Sequence, residues 1–148
     1  MLETVFVYGT LKEGHSNNRL LDDKTVFRVG RASLEAPFLM VDLGAFPGII
    51  KAPEDTPPQS RIRGELYHVS QTVFNSLDML EGHPDFYKRE RVDVTRDDGK
   101  AQVVRPWVYI LPEEYLVGRD IIETGLWEPT EKELDYYNLS REEAVAAG

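Results

Sequence analysis

Glu81 combines a proton-exchanging side chain with an inward-facing position. It falls four residues after Leu77 and seven after Phe74 in a stretch of helical periodicity, so it shares the apolar stripe of Val73, Phe74, Leu77 and Leu80. It also stands at the C-terminus of that helix, which Gly82 and Pro84 bring to an end, and there the helix dipole disfavours an anion. Burial and dipole both raise a carboxyl pKa, toward the range useful for proton transfer near neutral pH. Asp78 flanks the same stripe, placed to cap a neighbouring loop or to repel Glu81. The second feature is a loop. Val5-Phe6-Val7-Tyr8 is an unbroken β-branched and aromatic run, the pattern of a strand buried on both faces. Gly9 ends the run without a Cβ, Thr10 adds a hydroxyl, and Gly14 loosens the chain again. A strand feeding such a loop aims successive backbone N–H groups at one spot, which suits an anion. Each feature also has a plainer reading: an ordinary strand end, and a carboxylate left in water at a fraying helix terminus.

The elements that hold these residues follow from local pattern. Ser70 is the expected N-cap of a helix running to about Glu81. Before it, Arg61 to Val69 alternates polar and apolar residues, the period of a half-buried strand. Asn17–Leu21 reads as a short helix. Strand residues fill Thr25–Val29 and Ala32–Val41, interrupted by Gly30, which predicts a bend or bulge. Phe46-Pro47-Gly48-Ile49-Ile50 opens with turn residues and resumes a β pattern, and Pro53 to Ser60 is a polar surface connector. Two further strands, near Tyr87–Thr95 and Ala101–Leu111, flank the Arg96-Asp97-Asp98-Gly99 turn and are expected to pair antiparallel. Six or so strands with one well-formed helix predict an α+β fold, a small mixed β-barrel with short helices packed outside. The chain is expected to be a single domain over residues 1–148. Residues 113–148 are read as a C-terminal acidic appendage, in which Ser140 and Glu143 form a capping-box pattern.

Composition narrows the chemistry. The 148 residues include no cysteine, which excludes disulfides, a thiol nucleophile and thiolate metal sites and is compatible with the cytosol. His15, His68 and His83 are scattered without ligand spacing, so neither a metal nor a cofactor is expected. A net charge of −9 argues against nucleic acid or an anionic membrane as the main partner. No apolar run approaches the roughly 20 residues needed to span a bilayer. Strand residues begin directly after Met1-Leu2-Glu3, leaving no room for a signal peptide, so a cytoplasmic location is expected.

Taken together, two patterns resemble the gamma-glutamylcyclotransferase-like proteins. One is Val5-Phe6-Val7-Tyr8-Gly9-Thr10-Leu11-Lys12-x-Gly14-x-x-Asn17-x-x-Leu20; the other is Leu77-Asp78-x-x-Glu81-Gly82-x-x-x-x-Tyr87-x-Arg89. Within that family the loop wording is similar to the gamma-glutamylamine cyclotransferases, and the resemblance covers roughly residues 4 to 112. It implies a small β-barrel with surrounding helices, a cavity floored by the Tyr8–Leu11 loop, and Glu81 as general acid/base. It further implies that Tyr8, Gly9, Thr10 and Leu11 contact substrate, largely through backbone N–H groups to an α-carboxylate. Tyr87 and Tyr109 match positions that line or shape the cavity, although each also fits an ordinary core or strand position. The chemistry suits so small a site. A γ-glutamyl amide carries its own nucleophile, the α-amine, so holding it folded makes cyclisation intramolecular, and such preorganisation contributes on the order of 7–11 kcal/mol. What remains is one group to take a proton from the ammonium and return one to the leaving amine, plus N–H donors for the carboxylate and oxyanion. The products would be 5-oxoproline and a free amine. The competing expectation is a non-catalytic barrel that captures a small anionic metabolite or peptide end with the same loop and needs no protonatable Glu81.

Overall fold

The computed structural model describes residues 2–13, 15, 17–34, 37–57 and 61–128. In chain order these form β1 (Leu2–Val7), β2 (Phe27–Leu34), β3 (Phe38–Asp42), β4 (Pro47–Lys51), β5 (Ile62–Ser70), α1 (Gln71–Glu81), β6 (Lys88–Arg91), β7 (Val94–Arg96), β8 (Val103–Val104) and β9 (Trp107–Ile110). Short 3-10 turns cover Asn18–Leu21 and Glu113–Leu116. Seven strands make one sheet in the order β6-β9-β1-β5-β2-β7-β8, and β3-β4 form a separate hairpin. Only the β1–β9 contact within the large sheet is parallel.

The two strands expected after Tyr87 are each cut in two, at Val92-Asp93 and at Arg105-Pro106. Pro106 has no N–H to give a ladder; its carbonyl instead accepts from the Val92 N–H at 3.2 Å. The bend sends β9 to pair with β1 and β7 to pair with β2. Both ends of the strand order therefore belong to one bent hairpin, and the mixed sheet curls toward closure with α1 packed outside. This is the α+β barrel the sequence predicts. Gly30 marks a register irregularity between Arg28 and Gly30 and adopts φ +146°, so β2 runs through the position as a bulged strand.

β1 is buried on both faces, as its unbroken run predicts. Val5 and Val7 pack with Val69, Phe74 and Leu77 on the helix side, while Phe6 and Tyr8 face Leu34, Met40, Ile62 and Leu66 on the other. Burying large side chains on both faces contributes roughly 1.5–3 kcal/mol each. The β3-β4 hairpin is attached by backbone bonds, from the Leu111 N–H to the Ile49 carbonyl at 2.8 Å and from the Ile122 N–H to the Met40 carbonyl at 2.8 Å. Trp127 is buried with Phe6 of β1 and Ala32 and Leu34 of β2. Residues 129–148, including the Ser140–Glu143 pattern, lie outside the described residues. No helix among the described residues is long and apolar enough to cross a membrane.

Candidate active site

Two chain reversals bring the site together. At the first, β1 runs into Tyr8-Gly9-Thr10-Leu11, closed by a turn in which the Lys12 N–H donates to the Gly9 carbonyl at 3.0 Å. Gly9 is required by close approach: a Cβ there would sit 2.8 Å from the Pro47 ring. The loop is braced by Asn17, whose backbone N–H donates to the Thr10 carbonyl and whose Nδ2 donates to Thr10 Oγ1, both at 2.8 Å. Asn18 Nδ2 donates to the Leu11 carbonyl at 2.8 Å. The N–H groups of Gly9, Thr10 and Leu11 make no hydrogen bond to protein among the described residues.

At the second reversal, Ser70 caps the start of α1, its Oγ accepting from the Val73 N–H at 3.3 Å. Gly82 takes the left-handed conformation at φ 66° and ψ 35°. Its N–H donates to the Met79 carbonyl and the His83 N–H to the Asp78 carbonyl, a Schellman ending. Glu81 is thus the last helical residue. The chain then folds back so that the Tyr87 N–H donates to the Glu81 carbonyl at 3.2 Å. Leu80 departs from the expected stripe: it is 42% exposed, because the last helical turn overhangs a cavity in place of packed core.

That cavity has a volume of about 330 Å³. Its wall includes Tyr8, Gly9, Thr10 and Leu11 from the loop, Glu81 from the helix end, and Tyr87 and Tyr109, so the expected acid/base and the six expected substrate contacts line one cavity. Glu81 is partly buried, and desolvation raises its pKa from 4.5 to about 7. Its carboxyl makes no hydrogen bond among the described residues. The three tyrosines are held neutral, chiefly by burial, with the Glu81 charge adding to the effect on each. Their hydroxyl protons are committed: Tyr8 donates to the Tyr109 carbonyl at 2.6 Å, Tyr87 to the Pro47 carbonyl at 2.6 Å, and Tyr109 to Asp78 Oδ1 at 2.7 Å.

Asp78 neither caps a loop nor appears among the causes of the Glu81 shift. Its carboxylate receives Arg89 Nε at 2.8 Å and Arg89 Nη2 at 3.2 Å, a two-pronged pair. The guanidinium is stacked 4.5 Å from the Phe74 ring centroid and 4.6 Å from that of Trp107. Burial pushes the Asp78 carboxyl up, but hydrogen bonds from Arg89 and Tyr109 outweigh it and hold the pKa below the ordinary value. Asp78→Ala, which strands the guanidinium and the Tyr109 hydroxyl together, is expected to lower unfolding stability by about 2 kcal/mol in denaturant titration.

Sequence reasoning missed part of the wall: Ala45, Phe46 and Pro47 also line the cavity, from the β3–β4 turn. Phe46-Pro47-Gly48 was legible only as turn chemistry; nothing local tells that the turn lies against Gly9. Among the described residues no group of three or more His, Asp or Glu side chains is placed to hold a metal ion.

Comparison with known proteins places the chain in a family. Residues 5–129 match the family described as gamma-glutamyl cyclotransferase, AIG2-like. The match runs past residue 112, where the resemblance by motif ended. A protein of Methanocaldococcus jannaschii, by its provisional name a gamma-glutamylcyclotransferase, is 33% identical over 84% of this chain and 94% of its own length. A gamma-glutamylaminecyclotransferase of Bos taurus is 38% identical over 63% of this chain and 56% of its own. The crystal structure of an AIG2-like protein from Mus musculus superposes with a TM-score of 0.69 at 26% identity, covering 88% of this chain and 97% of that one. The chain belongs to the AIG2-like gamma-glutamyl cyclotransferase family.

Proposed function

We propose that this enzyme of the gamma-glutamylcyclotransferase kind cleaves a γ-glutamyl amine, giving 5-oxoproline and the free amine, with Glu81 as general acid/base. One observation carries the reading. A carboxyl of pKa about 7, with no hydrogen-bond partner among the described residues, lines the same cavity as Gly9, Thr10 and Leu11, whose N–H groups are unengaged among the described residues. The N–H groups receive the α-carboxylate of the γ-glutamyl unit, and Tyr8, Tyr87 and Tyr109 shape the space in which its side chain folds back. Glu81 takes a proton from the α-ammonium. The freed amine nitrogen attacks the δ-carbonyl carbon, a C–N bond closes the five-membered ring, and the amide C–N bond breaks as Glu81 delivers the proton to the leaving nitrogen. The ring nitrogen then gives its second proton to the regenerated Glu81 carboxylate, which passes it to the free amine, so the amine departs as an ammonium and the lactam is neutral. Because Glu81 has a pKa near 7, both directions of proton transfer are accessible at neutral pH. Incubation with a panel of γ-glutamyl amides, followed by mass spectrometry, is expected to show 5-oxoproline and free amine in equal amounts. A panel that includes γ-glutamyl-ε-lysine and yields neither product rejects the reading.

A further inference from the structure

Lys12 stands in the recognised loop pattern, yet the proposed reaction gives it no task. Among the described residues it is the most deeply buried charged residue, 5% exposed. Lysine is almost never so placed without a partner. Its Nζ donates at 2.7 Å to the carbonyl of Trp127, 115 positions further along the chain. Its backbone N–H closes the turn on the Gly9 carbonyl. Directly after it the chain comes to the surface at Glu13, whose N–H donates to Glu65 Oε1 at 2.8 Å. Trp127 ends a strap bonded to the body at several points. The Asp120 carbonyl accepts from the Asp42 N–H at 2.9 Å, the Ile122 N–H donates to the Met40 carbonyl, and the Gly125 carbonyl accepts from the Arg63 N–H at 2.7 Å. Gly125 lies so close to the Arg61 carbonyl that no Cβ fits between them.

One lysine thus joins the loop to the strap. Asn17 and Asn18 brace Thr10 and Leu11 locally, whereas Lys12 ties the end of the same loop to a segment anchored on β3 and β5. We propose that Lys12 is a positioning residue: by this tie it holds the N–H groups of Gly9, Thr10 and Leu11 in the arrangement that receives the α-carboxylate of the γ-glutamyl unit. The proposal rests on the cyclotransferase reading above. Lys12 does not line the cavity, so it acts through the backbone and not on the substrate itself. The α-carboxylate takes no part in the bond changes. Its contacts are therefore alike in the ground and transition states, and weakening them falls on KM.

Lys12→Met keeps an unbranched side chain in the buried space and removes the donor to the Trp127 carbonyl. With the best γ-glutamyl amide of the panel above, its KM is expected to rise by about tenfold while kcat stays within about threefold of the parent value. Two inhibitors of free-amine release separate this from a general loosening: 5-oxoproline, and 2-pyrrolidinone, the same ring without the carboxylate. The Ki of 5-oxoproline is expected to rise by about tenfold and that of 2-pyrrolidinone to stay within about twofold. Should Lys12→Met not fold, judged by its denaturant unfolding curve, Lys12→Gln, a shorter neutral donor, is expected to show the same split. Both inhibitors weakened alike, a KM and a 5-oxoproline Ki left unmoved, or failure of both variants to fold overturns the proposal and leaves the cyclotransferase reading in place. A parent protein that releases 5-oxoproline from no γ-glutamyl amide overturns both.

Discussion

Glu81→Gln is expected to lower 5-oxoproline release by about 10²- to 10⁴-fold while the folded structure and substrate affinity stay close to those of the parent protein. The substitution is unusually clean because of what the carboxyl does not do. It holds no hydrogen bond among the described residues, so its replacement by a neutral amide of the same shape strands no donor on another residue. What disappears is the capacity to take and return a proton. The ring-closing geometry survives, because the loop N–H groups and the cavity walls are untouched, and with it a residual rate above that in free solution. The loss should therefore fall on kcat, with KM little changed. The competing expectation, a barrel that only holds a small anion, makes the opposite forecast. It has no product in the parent protein, and ligand gives the parent and the Glu81→Gln variant the same thermal protection. A glutamine variant retaining more than about a third of the parent rate would remove Glu81 from the proton path.

How much of this was legible depended on the distance over which each signal acts. The ends of α1 are local matters: Ser70 and Gly82 announce their cap roles within three or four residues, and the structure places the helix between them. β1 was equally readable, since a run buried on both faces leaves no alternation to confuse. Gly30 signalled its bulge through a missing Cβ. The losses are long-range. Pro106 lies inside a run that otherwise reads as one strand, and only the sheet's two edges explain why the hairpin bends there. Asp78 and Arg89 both stood in the recognised pattern, yet their pairing and the Phe74–Trp107 stack emerge only when β6 lies beside β9 and near the helix. Leu80 failed for the reverse reason. Helical periodicity assigns it a buried face, and periodicity carries no information about an empty space opposite.

The same carboxyl should also make the protein less stable as pH rises, and the size of that effect is large for one residue. In the unfolded chain Glu81 titrates near 4.5, and in the folded protein near 7, because burial penalises its charge. Between those values the folded state holds a proton that the unfolded state has released, so this residue's contribution to stability falls through that window. It is fully present below pH 4.5 and lost above pH 7. At about 1.4 kcal/mol per pH unit the total is on the order of 3 kcal/mol. Glutamine carries no such titration. Glu81→Gln is therefore expected to gain about 3 kcal/mol over the parent protein on going from pH 4.5 to pH 8, read as the difference between their denaturant unfolding curves, in which the other titrating groups cancel. A difference that stays flat across that range would mean the carboxyl is solvated in the folded state, and its proton-transfer role would go with it. The parent enzyme's kcat/KM should meanwhile rise through pH 7, since only the ionised carboxyl can accept the ammonium proton. Catalytic competence and folding stability then change in opposite directions across one titration. That opposition is the mark of a group whose burial serves the reaction at the expense of the fold.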